Sequence, residues 1–320
     1  MVTTRYFSLG RFAMRDALRY AGVKNGDLVM LPSFICRDLL ASIAEIGANV
    51  VFYEVDKSLK PVQLENARQI KAIVAVNYFG FAQDLTIFRD FAKISGAIII
   101  EDNAHGYLSK DRDGNLLGNR EKFGITSFRK TLHVDDGAIL TTALTETEID
   151  GQLPFNNAPR SNRVKLLHLL SRFESLTKIP TVTVGQYISR LIRLMTTGSR
   201  LPKSDPLAEN KIPGLPNPRR HSVESLRLIN EDSEIARRRN LYFLLQPQVV
   251  EAGAKLVFDE LPTNTCPYGL PVFASPDLKR KLARIARRNK VTLMTWPDLP
   301  NEVLRDAPDF YSQVWLLNFK

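Results

Sequence analysis

The first 142 residues alternate apolar, β-branched runs with amphipathic stretches, and this alternation constrains the fold more than any other feature of the chain. Strands are predicted at Asp27–Leu31, Val50–Val55, Lys71–Val76 and Ala97–Ile100, with further strands at Phe123–Phe128 and Gly137–Thr142. Helices are predicted between them at Arg37–Ile46 and Asp84–Ser95, each closed by a glycine, Gly47 or Gly96. In the second helix Leu85, Phe88, Phe91 and Ala92 form one stripe. Strands apolar on both faces need cover on both faces, so the pattern predicts an α/β fold with a mostly parallel sheet between helical layers.

The texture changes after residue 142. Residues 163–177 and 186–196 read as helices, and Gly198–Arg220, with five prolines and two glycines, reads as loop. A long helix is expected over Val223–Leu245, with Ser222 as its N-cap. Beyond Pro247 a smaller α+β unit is expected, with strands at Lys255–Phe258 and Gly269–Phe273 and a helix at Asp277–Asn289. The predicted organisation is a large α/β domain over 1–245, carrying the basic segment 160–200 and the Pro-rich loop 198–220, and a small C-terminal domain over 246–320.

Charge is unevenly placed. The chain carries a net +10, and residues 160–204 hold nine cations against one acid, Glu174. Such a segment can meet a partner's surface, an anionic substrate or membrane, or nucleic acid. The surface or dimer-interface reading is preferred. Membrane-surface contact through 160–200 is not favoured, and no nucleic-acid motif or aromatic platform supports the third reading. Two cysteines, Cys36 and Cys266, are expected to be free thiols. Neither a leader at Met1 nor an apolar run of about 18 residues is present, which predicts a cytoplasmic protein.

Ligands of open parallel sheets sit at the carboxyl ends of the strands. Two polar groups emerge there. Ile98–Ile100 runs into Glu101-Asp102-Asn103-Ala104-His105, and Ser127-Phe128-Arg129-Lys130 emerges in the same way from another strand. A carboxylate, an imidazole, a hydroxyl and an amine can therefore share one cleft. Pyridoxal phosphate chemistry uses this set: an amine for the aldehyde, a carboxylate for the pyridine nitrogen, and a hydroxyl with helix-start N–H groups for the phosphate. Each residue also has a plainer reading. Asp102 could cap a turn, His105 could be a satisfied core histidine, Phe34 could be core, and Arg11 could be a solvated helix residue. His133 with Asp135 and Asp136 suggests a metal, but no second cluster supports one, and none is predicted.

In order along the chain, Leu9-Gly10-Arg11-Phe12-Ala13, Leu31-Pro32-Ser33-Phe34, Asn77-Tyr78-Phe79-Gly80, Glu101–His105, Ser127–Lys130, Arg237-Arg238-Arg239-Asn240 and Trp296-Pro297 resemble the DegT/DnrJ/StrS family of pyridoxal phosphate-dependent aminotransferases. The resemblance implies fold type I and the cofactor pyridoxal 5'-phosphate. It implies amino transfer from an amino acid, such as glutamate, to a nucleotide-linked keto sugar, by a homodimer. By motif, Lys130 is the Schiff-base lysine and proton carrier, and Asp102 faces the pyridinium nitrogen. His105 stands near the ring hydroxyl, where the family often has glutamine. Ser127, Gly10 and Arg11 hold the phosphate, and Phe34 covers the ring face. Retention of Lys130 disfavours the dehydratase branch, which has histidine there. Only two residues separate Ser127 from Lys130, where the family commonly has three. The alternatives are another pyridoxal phosphate reaction on the same fold, or a non-catalytic descendant serving as a binding or scaffold protein.

Overall fold

The computed structural model describes residues 2–64, 69–162, 164–166, 169–170 and 207–320. Seven strands form one sheet: β1 (Thr3–Phe7), β2 (Leu28–Pro32), β3 (Asn49–Tyr53), β4 (Ile70–Val76), β5 (Ile98–Asn103), β6 (Phe123–Thr126) and β7 (Ala138–Thr142). Their order is β1-β7-β6-β5-β4-β2-β3. The block from β3 to β6 is parallel, and β7 runs antiparallel to both β6 and β1. β2, β4 and β5 are buried along most of their length, which explains their near-continuous apolar sequences.

Helix α1 (Gly10–Tyr20) packs against β7 and β6, burying Phe12, Ala13, Met14, Ala17 and Leu18. The segment 37–46 forms a 3-10 turn, Arg37–Leu39, and then the short helix α2 (Leu40–Ala44). Helix α3 (Thr86–Ser95) buries Phe88 and Phe91 and ends at Gly96, whose φ of 74° is the left-handed conformation that glycine adopts without a Cβ penalty. α4 (Phe128–Thr131) is a single turn directly after β6.

The two helices expected over 163–177 and 186–196 lie almost wholly outside the described residues. The expected long helix is shifted. Arg220–Glu224 forms a short helix, α5, followed by a 3-10 turn, and the long helix α6 spans Glu231–Glu251. Asn230, not Ser222, caps it, accepting from Ser233 N at 2.9 Å. α6 continues through Pro247, because Phe243, whose carbonyl loses its donor there, is exposed to solvent. The four-stranded antiparallel sheet β10-β11-β9-β8 follows, built from β8 (Lys255–Leu256), β9 (Gly269–Phe273), β10 (Thr292–Thr295) and β11 (Val314–Asn318). α7 (Lys279–Arg288) buries Leu282 and Ala286. Among the described residues no helix is long and apolar enough to cross a membrane.

Candidate active site

Chain order places β3 on one side of β2 and β4 on the other, so the sheet reverses its winding between β2 and β4. Crevices form at such a reversal, outside the carboxyl ends of the strands. A cavity of about 250 Å³ opens there. Ile35 and Cys36 reach it from the segment after β2, Val76 and Asn77 from the end of β4, Asp102 and His105 from β5 and its loop, and Ile125 and Ser127 from β6. Gly10 and Arg11 enter from α1, and Arg129 and Lys130 from α4. A larger hollow of about 980 Å³ shares Val76 with it but contains none of the seven candidate site residues.

Local chemistry explains each placement. β5 alternates its side chains, so neighbouring Glu101 and Asp102 meet different surroundings. Glu101 is buried against Arg120 Nε and Asn77 Nδ2, each at 2.8 Å. Asp102 lines the cavity, and its Oδ1 accepts from Ala104 N at 2.8 Å. Burial pushes the Asp102 carboxyl up from its ordinary range, and the Lys130 charge only partly offsets this. A cationic ring nitrogen facing this carboxylate would supply the counter-charge that the site lacks.

Lys130 rides on α4, which is fixed on three sides. The buried Phe128 ring anchors its start, Arg129 N donates to Gly137 O at 3.1 Å, and Arg238 Nη2 donates to Thr131 O at 2.9 Å. Lys130 Nζ lies 3.2 Å from His105 Nε2. Burial holds the amine below the usual lysine range, which favours the nucleophilic neutral form, and the Arg129 charge acts in the same direction. Burial, and then the Lys130 charge, hold the His105 imidazole well below its ordinary value, so it is neutral and able to accept from the amine. His105 is stacked between Tyr268, at 4.6 Å and 3°, and Phe79, at 5.7 Å and 8°, with the Trp296 edge at 5.2 Å.

Ser127 is 2% exposed, and its Oγ has no hydrogen-bond partner. It sits beside the first turn of α1: a Cβ added at Gly10 would lie 3.8 Å from Ser127 Cβ. The first amides of a helix have no intrahelical acceptors, and this first turn holds no acid. Arg11 Nη1 lies 3.5 Å from Asp38. An orphaned donor, open amides and a cation at one end of the cavity, with the amine and carboxylate elsewhere on its wall, fit pyridoxal phosphate.

Six of the seven residues singled out in the sequence thus line one cavity: Gly10, Arg11, Asp102, His105, Ser127 and Lys130. Phe34 does not. It is fully buried in an aromatic cluster with Tyr78, Trp296 and Tyr311, because the chain turns after Pro32 and presents Ile35 and Cys36 to the cavity instead. Tyr268, Met294 and Trp296 complete the wall from the C-terminal region. Sequence reasoning did not place them there, since only folding brings residues so distant to the strand ends. The Trp296-Pro297 motif was the one available pointer.

A mostly parallel sheet with helical cover, a lysine on the turn after β6 and an antiparallel second sheet make up the architecture known as fold type I. A solved aminotransferase of the DegT DnrJ EryC1 StrS type from Brucella abortus has this fold, with a TM-score of 0.62 and 18% identity, over 98% of this chain and 80% of that one. Residues 7–149 match the model of the DegT/DnrJ/EryC1/StrS aminotransferase family. Over 141 residues, 41% of this chain, there is 33% identity with the pleiotropic regulatory protein of Geobacillus stearothermophilus. The same length and identity relate it to the dTDP-3-amino-3,4,6-trideoxy-alpha-D-glucose transaminase of Micromonospora megalomicea subsp. nigra. The matched stretch spans 38% and 37% of those relatives' lengths.

Proposed function

We propose that this chain holds pyridoxal 5'-phosphate on Lys130 and transfers an amino group from an amino acid donor, such as glutamate, to a keto sugar carried on a nucleotide. The observation that carries this reading is the cavity itself, where Lys130 Nζ, 3.2 Å from His105 Nε2, shares a wall with Asp102 and the unpartnered Ser127 hydroxyl. Bound there, the cofactor would supply an aldehyde for amines and a ring that draws electron density from the donor carbon. Asp102 holds its negative charge toward the ring nitrogen. Ser127 Oγ, with Gly10 and Arg11 at the start of α1, holds the phosphate. The low-lying proton affinity of Lys130 lets Nζ take a proton from the donor's α-carbon and give it back later. His105 Nε2 steadies that amine between proton transfers, and the flanking Phe79 and Tyr268 rings keep water from the imidazole. The sugar-nucleotide substrate is supported by the matched transaminase, whose name gives a dTDP-linked amino sugar.

In this reading the chain divides near residue 245 into a cofactor-binding domain and a smaller C-terminal one, works as a homodimer and acts in the cytoplasm. The test is an amination assay with a nucleotide-linked keto sugar and glutamate. Product should form with the parent and not with Lys130→Ala. A parent that binds the cofactor but aminates no keto sugar would favour a different reaction on this fold. One that also binds no cofactor would favour a scaffold role.

A further inference from the structure

Arg129 has no catalytic task in the reading above beyond its charge, yet its surroundings are those of a ligand-binding group. Its backbone is pinned on both sides, the N–H donating to Gly137 O and the carbonyl accepting from Lys320 Nζ. Arg129 also lines the cavity. The Nε–H there is buried and has no acceptor, and the neighbouring Ser127 Oγ is in the same condition. Burying a donor without an acceptor is unfavourable, so two in one wall point to an acceptor that both were built to meet.

The charges agree. Arg11 and Arg129 face the same end of the cavity, near enough that the Arg11 charge helps hold the Arg129 guanidinium below its usual range, after burial. Arg11 is engaged by Asp38, whereas among the described residues no carboxylate lies within ion-pair distance of Arg129. Asp38 and, from outside the cavity wall, Asp136 both act on the Arg129 charge without pairing with it, so the two guanidinium groups and the helix start still present a positive wall to an anion.

We propose that Arg129 is a ligand of a phosphate dianion, gripping it together with the Ser127 hydroxyl and the start of α1. Resting on the function proposed above, that phosphate is the cofactor's. The grip comes from the residue just before the lysine, so phosphate binding and presentation of the amine share one turn of backbone.

The test compares the cofactor-free parent with Arg129→Gln and Arg129→Lys, following tryptophan fluorescence, since Trp296 lines the cavity. The probes are pyridoxal phosphate, pyridoxal and inorganic phosphate. Arg129→Gln should bind pyridoxal phosphate and inorganic phosphate about 10- to 100-fold more weakly, the loss of one hydrogen bond to a charged group, and bind pyridoxal as the parent does. Arg129→Lys, which keeps the charge, should recover much of the loss. Equal weakening of pyridoxal phosphate and pyridoxal would mean that Arg129 acts only through Lys130, overturning the proposal. Unchanged affinity for all three probes, with a loss for a nucleoside diphosphate, would assign the guanidinium to the substrate and overturn the cofactor assignment. A parent that binds inorganic phosphate through Arg129 but not pyridoxal phosphate would uphold the anion site and refute the proposed function.

Discussion

The proposed chemistry rests on a few polar side chains that burial alone disfavours. Asp102 is the clearest. It is 6% exposed, and burial raises its carboxyl above the ordinary 3.8. The native state therefore holds this proton more tightly than the unfolded chain does. Its contribution to stability falls as pH rises from 3.8 through the raised value, and above that value the whole penalty is present. Asparagine has no charge to bury and can still accept from Ala104 N. Cofactor-free Asp102→Asn should thus resist urea better than the parent at neutral pH, with the gain shrinking as the medium is acidified. Its amino-transfer rate should fall about 100- to 1,000-fold, as when a preorganised charge is removed from a reacting centre. Urea melts across pH and a rate assay on the same preparations read both effects. A variant less stable than the parent at neutral pH, or one with near-normal turnover, would contradict the role given to this residue.

At the level of elements, the turn α4 is the critical one, and a glycine nine residues after its first residue governs it. Gly137 has a φ of +134°, and a Cβ there would come within 2.0 Å of the Phe128 ring, the anchor of α4. Gly137→Ala should destabilise the fold by about 1–3 kcal/mol through overpacking. It should also displace the turn that carries Lys130, weakening cofactor binding beyond what the stability loss explains. Thermal melts with and without pyridoxal phosphate separate the two effects, and a variant that gains as much from the cofactor as the parent would refute the link. The sequence showed this region only in part. The cores of β4, β5 and β9 are legible because continuous burial writes itself as continuous apolar residues. β1 is not, because Thr3-Thr4-Arg5-Tyr6-Phe7 becomes a strand only by pairing with β7 in the sheet. The long helix was read too early, since Ser222 and Glu224 resemble a helix start, while the operative cap is the Asn230 side chain. Pro247 lies inside α6 at a position where solvent can satisfy the freed carbonyl.

Across the whole molecule, the site is a meeting of distant segments. Residues at or just past a strand's end, such as Asp102, His105, Ser127 and Lys130, could be read from sequence because strand direction alone delivers them to the carboxyl edge. Tyr268 and Trp296 could not, and their arrival depends on how the second sheet docks. Arg238 makes that docking specific. It is fully buried, with Nε donating to Glu234 at 2.6 Å, Nη1 to the carbonyls of Pro267 and Tyr268 at 3.2 and 3.3 Å, and Nη2 to Thr131. One guanidinium so ties α6, the lysine turn and the segment that stacks on His105. The boundary proposed near residue 245 falls within α6, and Arg238 in the first half of that helix bonds to the lysine turn and to the segment before β9. All of this serves one claim, that the amine of Lys130 is where the cofactor aldehyde is captured. The most direct measurement is to incubate the protein with pyridoxal phosphate, reduce with borohydride and map the modified peptide by mass. The account predicts a single cofactor adduct on Lys130 that is lost in Lys130→Ala; an adduct on another lysine, or none at all, would contradict it.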